Sequence, residues 1–223
     1  MVSFKKLIVV FLFSGLFSSF AWGQRVEPSS DLVVYKNIPY VTNGGYRQQL
    51  DLYLPKGYEK AKKLYPTILV EHGGSWIRGS KDEYVFYANW LVPLGYVVAI
   101  TNYRLLDTDY FPAQLQDCKS AVRWLRANAK KYKIDKKRIG AMGASAGGHL
   151  VALLGSTSGM KEYEVGENLK QSSDIKVVYD LFGPTSFAAF AAASPEMIEQ
   201  QRAASASRRR LIDPNEPIGK KHG

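Results

Sequence analysis

The sequence predicts an α/β fold, a mostly parallel sheet with helices on both faces in a three-layer α/β/α sandwich. Three observations predict it. Hydrophobic runs at 67–71, 96–103, 138–142 and 175–182 alternate with helical patterns, and such alternation builds a parallel sheet. The runs are short and continuous, as in strands buried on both faces. Two segments of small residues, His72–Trp76 and Gly143–Gly147, each follow one of these runs directly. Right-handed crossovers then place both at the carboxyl ends of strands, on one rim of the sheet.

Composition sets the outer bounds. The 223 residues are 46% hydrophobic, carry a net charge of +10 and include one cysteine, which suits one globular domain with a real core. Lys5 and Lys6 precede an apolar run from Leu7 to Phe20, and Ala21-Trp22-Gly23 follows. Residues 1–23 therefore read as a cleaved signal peptide, implying a secreted or periplasmic protein; the run is too short for a stable membrane anchor. Residues 24–31 read as a linker, 32–193 as the core and 194–223 as a divergent basic tail containing Arg208-Arg209-Arg210, Lys220 and Lys221. Other basic residues are scattered without interleaved aromatics, so nucleic acid is not an expected partner; acidic polysaccharide or a cell surface stays open. Lone Cys118 cannot form an internal disulfide and reads as a small core residue. No Cys/His cluster has metal-ligand spacing, and no cofactor is expected.

In chain order, Leu32–Pro39 and Tyr46–Leu54 read as an edge hairpin turning at Asn43-Gly44-Gly45, with Pro55 and Gly57 ending its second strand. Thr67–Glu71 is the next strand. Ser80 with Glu83 suggests a capping box for a helix ending near Leu91, before Pro93 and Gly95. Tyr96–Tyr103 is a strand, and Pro112 opens the clearest helix. Leu115, Cys118, Val122, Leu125 and Ala129 form its apolar stripe, while Lys119, Arg123, Arg126 and Lys130 read as a solvated face. The strand Arg138–Met142, a helix Ala146–Leu154 and the strand Ile175–Phe182 complete the series.

Strand, Ser145, helix is the context that makes Gly143-Ala144-Ser145-Ala146-Gly147 a nucleophile elbow. Acyl transfer also needs donors aimed at the oxygen that becomes negative. The Ala146 amide opens a helix, where free N–H groups and the helix dipole favour negative charge. The His72 loop can approach from the opposite side: Gly74 is the expected principal donor, with Gly73 or Ser75 assisting. One such donor is worth about 2.7–4 kcal/mol in a transition state. His72 should turn back into the sheet and hold the loop rather than act as a base. His149, about one turn beyond Ser145, is expected to support structure. Trp76 either walls a pocket or fills the core.

Further motifs carry a resemblance. HGGSW at His72–Trp76, NYRL at Asn102–Leu105, FPAQLQD at Phe111–Asp117 and RWLRANA at Arg123–Ala129 are followed by IDKKRIG at Ile134–Gly140, GASAGGH at Gly143–His149 and DLFGPTSF at Asp180–Phe187. In this order, over about residues 46–193, the chain resembles an α/β-hydrolase. It is most similar to secreted carboxylesterases of the hormone-sensitive-lipase-like, acetyl-xylan and feruloyl esterase group and to the related aryl-formamidases. The resemblance implies Ser145 as nucleophile, an oxyanion hole at Gly73, Gly74, Ser75 and Ala146, and small-molecule or polysaccharide esters as substrates.

The family also supplies an acid and then a histidine on loops after two later strands. Residues 146–223 hold no recognisable pair of further strands beyond 193. Asp213 and His222 have the right order but close spacing, and Asp180 is an alternative acid at a strand end. The resemblance thus implies a hydrolase with its C-terminal strands missing, through truncation, a frame shift or fragmentation, and weak or absent esterase activity for this chain. A peptidase or lactonase on the same fold, and a non-catalytic carbohydrate- or surface-binding protein, are the competing readings.

Overall fold

The computed structural model describes residues 26–186. The expected signal peptide at 1–23, the tail at 194–223, Asp213 and His222 lie outside the described residues. The described part of the expected linker is tied to the core: the Ser29 N–H donates to the Asn89 side chain, which in turn donates to the Glu27 carbonyl.

Strands β1 (Leu32–Pro39) and β2 (Gln49–Pro55) pair antiparallel as an edge hairpin. Residues 46–48, expected within the second strand, form a 3-10 turn. The Gln48 N–H closes it on the Gly45 carbonyl at 2.8 Å, and the Gln48 amide reaches Asp117 at 2.8 Å. That side chain is tied to a helix and cannot sit in the pleat of a strand.

The chain continues through β3 (Tyr65–Glu71), α1 (Val85–Leu91), β4 (Val97–Thr101), α2 (Ala113–Ala127), β5 (Ile134–Ala144), α3 (Ala146–Ser156) and β6 (Val178–Leu181). The sheet order is β1-β2-β4-β3-β5-β6, with β4, β3, β5 and β6 mutually parallel. The period of two explains the three layers. Leu52, Leu69, Ala99 and Ala141 face α2 and α3 in one core. Tyr53, Val70, Val98 and Met142 face α1 in the other. Each buried Leu, Ile or Val contributes about 1.5–3 kcal/mol. Among the described residues β6 is the sheet edge opposite β1, and its Tyr179 is 56% exposed.

Two expectations about helices are corrected. Ser80 does not cap a helix: its hydroxyl meets the Glu83 carboxylate at 3.5 Å, residues 81–84 form a 3-10 turn, and α1 starts at Val85. The turn is held from the sheet instead. The Lys81 N–H donates to Asn102 Oδ1 at 2.7 Å, and buried Lys81 Nζ pairs with buried Asp51 at 2.8 Å.

The basic face of α2 is not solvated either. Lys119 and Arg123 are fully buried and Arg126 is nearly so; of the four, only Lys130 is exposed. Lys119 Nζ donates to the Thr157 carbonyl, Glu164 Oε1 and Ser173 Oγ at 3.0–3.2 Å. Arg123 takes the other Glu164 oxygen and the Glu167 carbonyl, and Arg126 takes the carbonyls of Ser172 and Asp174. The segment between α3 and β6 is therefore folded onto α2 by charge-assisted bonds. Cys118 is buried in the core, as expected.

Candidate active site

Ser145 sits at φ 55°, ψ −118°, a corner that a side chain seldom adopts. The chain on both sides is pinned. The Ser145 N–H donates to the Leu181 carbonyl at 2.9 Å, and its carbonyl accepts the His149 N–H at 3.0 Å to start α3. Two glycines make the corner possible. A Cβ on Gly143 would lie 2.4 Å from the Gly147 backbone, and one on Gly147 would lie 2.2 Å from the Glu71 carbonyl oxygen. The first turn of α3 thus rests directly on the end of β3, which brings the two glycine-rich segments together. A Cβ on Gly73 would be 3.5 Å from Ser145 Cβ and 2.9 Å from the Ala144 carbonyl oxygen.

The His72 loop turns through three consecutive positive φ values, 117° at Gly74, 54° at Ser75 and 60° at Trp76. It is clamped at several points. The Gly74 carbonyl accepts the amides of Ile77 and Arg78, the Trp76 carbonyl accepts the Leu106 amide, and Arg47 donates to the Gly79 carbonyl at 2.7 Å. The Gly73 N–H donates to the Tyr84 hydroxyl at 2.8 Å. Among the expected donors, Gly73 is thus already engaged.

The His72 ring is buried, stacked on Tyr103 at 4.2 Å, with its Nδ1–H on the Gly73 carbonyl at 2.7 Å. Burial lowers its pKa to about 4 against the opposing pull of that carbonyl, so the ring is neutral and fixes the loop. His149 meets Trp76 edge-on at 5.2 Å; burial lowers its pKa while Asp180 pulls the other way. Trp76 does both things open to it. It packs on the core beside α2 and α3, and it walls an apolar cavity of about 330 Å³ with Leu106, Phe111, His149, Leu150 and Leu153. Asp180 is the penultimate residue of β6 and lies next to α3: a Cβ on Gly148 would lie 2.2 Å from its Oδ1, which accepts the Gly183 N–H at 2.8 Å.

Behind the loop, the NYRL and FPAQLQD motifs are fasteners. Arg104 grips Asp117 through Nε and Nη2, and the Asn102 side chain donates to the Tyr46 carbonyl. The sequence reading passed over two residues here. Tyr84 fell unnamed inside the helix expected after Ser80, and Glu71 read as the end of a strand. The Glu71 carboxyl is buried against Thr101 Oγ1 at 2.6 Å and the Cys118 thiol, and burial pushes its pKa from 4.5 up to about 8. A carboxyl raised in this way stabilises the fold fully below about pH 4.5, and that contribution is lost as pH rises through about 8. Glu71→Gln keeps the neutral form. It is expected to melt with the parent chain at pH 4 and above it at pH 8; thermal melts at the two pH values check this.

Comparison with known proteins follows the same outline. The family model BD-FAE matches residues 50–218. The chain belongs to the BD-FAE family. This BD-FAE chain is 34% identical over 131 residues to an arylacetamide deacetylase of Bos taurus, covering 56% of this chain and 30% of that protein. It is 33% identical over 132 residues to Esterase LipC of Mycobacterium tuberculosis, covering 58% and 32%. Among solved structures it is similar to a truncated form of a carbohydrate esterase from gut microbiota, with TM-score 0.62 and 33% identity over 70% of this chain and 59% of that one. Esterase B from Lactobacillus rhamnosis matches with TM-score 0.60 and 25% identity over 77% and 54%. The BD-FAE chain therefore spans about a third of those two curated relatives and has the α/β-hydrolase fold.

Proposed function

We propose that this chain is a serine carboxylic-ester hydrolase that works through an acyl-enzyme on small acyl esters, with Ser145 as its nucleophile. The observation that carries the reading is Ser145, held on a strained corner with its Cβ facing the Gly73 loop. Its Oγ attacks the ester carbonyl, the carbonyl electron pair moves onto oxygen, and the amides of Ala146, Gly74 and Ser75 receive that charge. A base takes the Ser145 proton during attack and returns it to the leaving oxygen, so that collapse expels the alcohol and leaves an ester on Ser145, which water then cleaves.

The apolar cavity beside Trp76 offers space for the acyl or aryl part of the substrate. Acetyl or feruloyl esters of polysaccharide are the substrate class that fits both the motif resemblance and the carbohydrate-esterase neighbour. Attack also needs a base. His72 is unsuited, because burial lowers its pKa to about 4 and makes it a weak base, and its ring is held on the Gly73 carbonyl; His222, oriented by Asp180 or Asp213, is the candidate in this sequence. Without a base in reach, an oxyanion hole and binding alone leave about 10³–10⁴-fold catalysis over water in a comparable triad enzyme.

Hydrolysis of p-nitrophenyl acetate, methyl ferulate and a peptide amide by the parent chain and by Ser145→Ala is the test. The reading expects ester turnover, weak in this chain, that Ser145→Ala removes. Equal turnover in the two proteins would refute it. His222→Ala then reports on the base: a loss of the remaining turnover assigns it, and no change removes His222 from the mechanism.

A further inference from the structure

Tyr84 lies in the turn before α1, outside both glycine-rich segments, yet its hydroxyl is at the site. A Cβ on Gly73 would be 3.1 Å from that hydroxyl and 3.5 Å from Ser145 Cβ, so only a glycine separates the phenol from the elbow. The ring is fixed between His72, at 6.4 Å between centroids, and Tyr87, at 5.9 Å. Its oxygen accepts the Gly73 N–H at 2.8 Å. A phenol has two lone pairs and one hydrogen. The amide uses a lone pair and orients the group, and the O–H remains to be donated.

We propose that Tyr84 donates this hydrogen bond to the substrate oxygen that turns negative at Ser145, as a side-chain member of the oxyanion site beside the amides of Gly74 and Ala146. The inference rests on Ser145 being the nucleophile. Tyr84 keeps its proton throughout: the new bond is Ser145 Oγ to the acyl carbon, and the electron pair displaced from the carbonyl stays on the oxygen that the phenol solvates. Burial holds the phenol pKa above its ordinary value, only partly offset by the Gly73 amide, so the hydroxyl is a donor at neutral pH. A preorganised donor that does not reorient during reaction is most effective where water is excluded.

The experiment measures the rate at which a fluorophosphonate modifies Ser145, because the phosphoryl oxygen takes the place of the oxyanion. The parent chain, Tyr84→Phe and a chain carrying 3-fluorotyrosine at position 84 are compared at a pH where the fluorinated phenol stays protonated. Tyr84→Phe keeps the ring and is expected to react about 100-fold more slowly, the lower end of the effect of losing one such donor. It also leaves the Gly73 N–H without its acceptor and lowers the thermal melt, so the fluorinated chain separates donation to substrate from support of Gly73. The fluorinated phenol is a stronger donor and a weaker acceptor, so it is expected to react faster. A Tyr84→Phe rate equal to or above the parent's overturns the proposal. So does a slower fluorinated chain, which would mean that Tyr84 only holds Gly73. Failure of the parent chain to react at Ser145 would instead sink the nucleophile reading beneath it, and this proposal with it.

Discussion

Gly147→Ala is expected to destroy the site and to destabilise the fold by more than about 3 kcal/mol, beyond the common range for overpacking. The added methyl would lie 2.2 Å from the Glu71 carbonyl oxygen and 2.7 Å from both the Glu71 carbonyl carbon and the His72 oxygen. All three are backbone atoms of β3 or of the loop that follows it, so no side chain can swing away. Relief requires α3 to lift from the sheet. That movement separates Ser145 from the Gly73 loop and breaks the Ser145 N–H bond to Leu181. Gly45→Ala is the matched control, because nothing lies within 4 Å of its Cβ and its φ of −73° suits alanine. Urea melts of the two variants should differ by almost the whole effect. A Gly147→Ala chain as stable as the Gly45→Ala chain would show that α3 does not rest on β3 in this way.

Glu164→Ala should cost about as much for an electrostatic reason. Lys119 and Arg123 have fully buried side chains, and both pair with Glu164. Breaking a buried pair by removing one partner typically costs about 3–5 kcal/mol, since the other charge is left uncompensated. Here one carboxylate serves two cations. The same geometry sets a pH dependence. Burial alone would raise the Glu164 pKa, but hydrogen bonds from Ser173 and Lys119 and the charges of Lys119 and Arg123 bring it below its ordinary value of 4.5. A depressed carboxyl contributes stability that is present above about 4.5 and lost as pH falls through the folded value. Glu164→Ala should therefore be far less stable than the parent chain at pH 7, with the gap shrinking in acid. Lys130→Ala, in the exposed turn after α2, should be neutral. Equilibrium unfolding at pH 7 and pH 3 checks the set.

Where the controlling chemistry is local, the sequence reading and the structure agree closely. Leu32–Pro39 was readable to the residue from its composition and the turn after it. The Ser145 corner was readable because glycines, serine and the helix onset are contiguous. The common rim of the two loops followed from parallel topology, and the structure adds the reason at atomic scale, the contact of Gly147 with Glu71. The misreadings share one cause, partners distant in the chain. Lys119, Arg123 and Arg126 look like a wet helix face until the segment from Glu164 to Asp174 is folded onto them, some forty residues away. Ser80 and Glu83 spell a cap, but the turn takes its shape from Asn102 and Asp51. Tyr84 is an ordinary aromatic in sequence and becomes part of the site only through the Gly73 amide.

The account stands on the placement and reactivity of one hydroxyl. Incubation of the chain with a fluorophosphonate, followed by peptide mapping in a mass spectrometer, tests it most directly. The account predicts a single adduct on the peptide that contains Ser145, absent from Ser145→Ala and strongly diminished in Gly147→Ala. Adducts on other serines with Ser145 unmodified, or equal labelling of the Ser145→Ala chain, would contradict it.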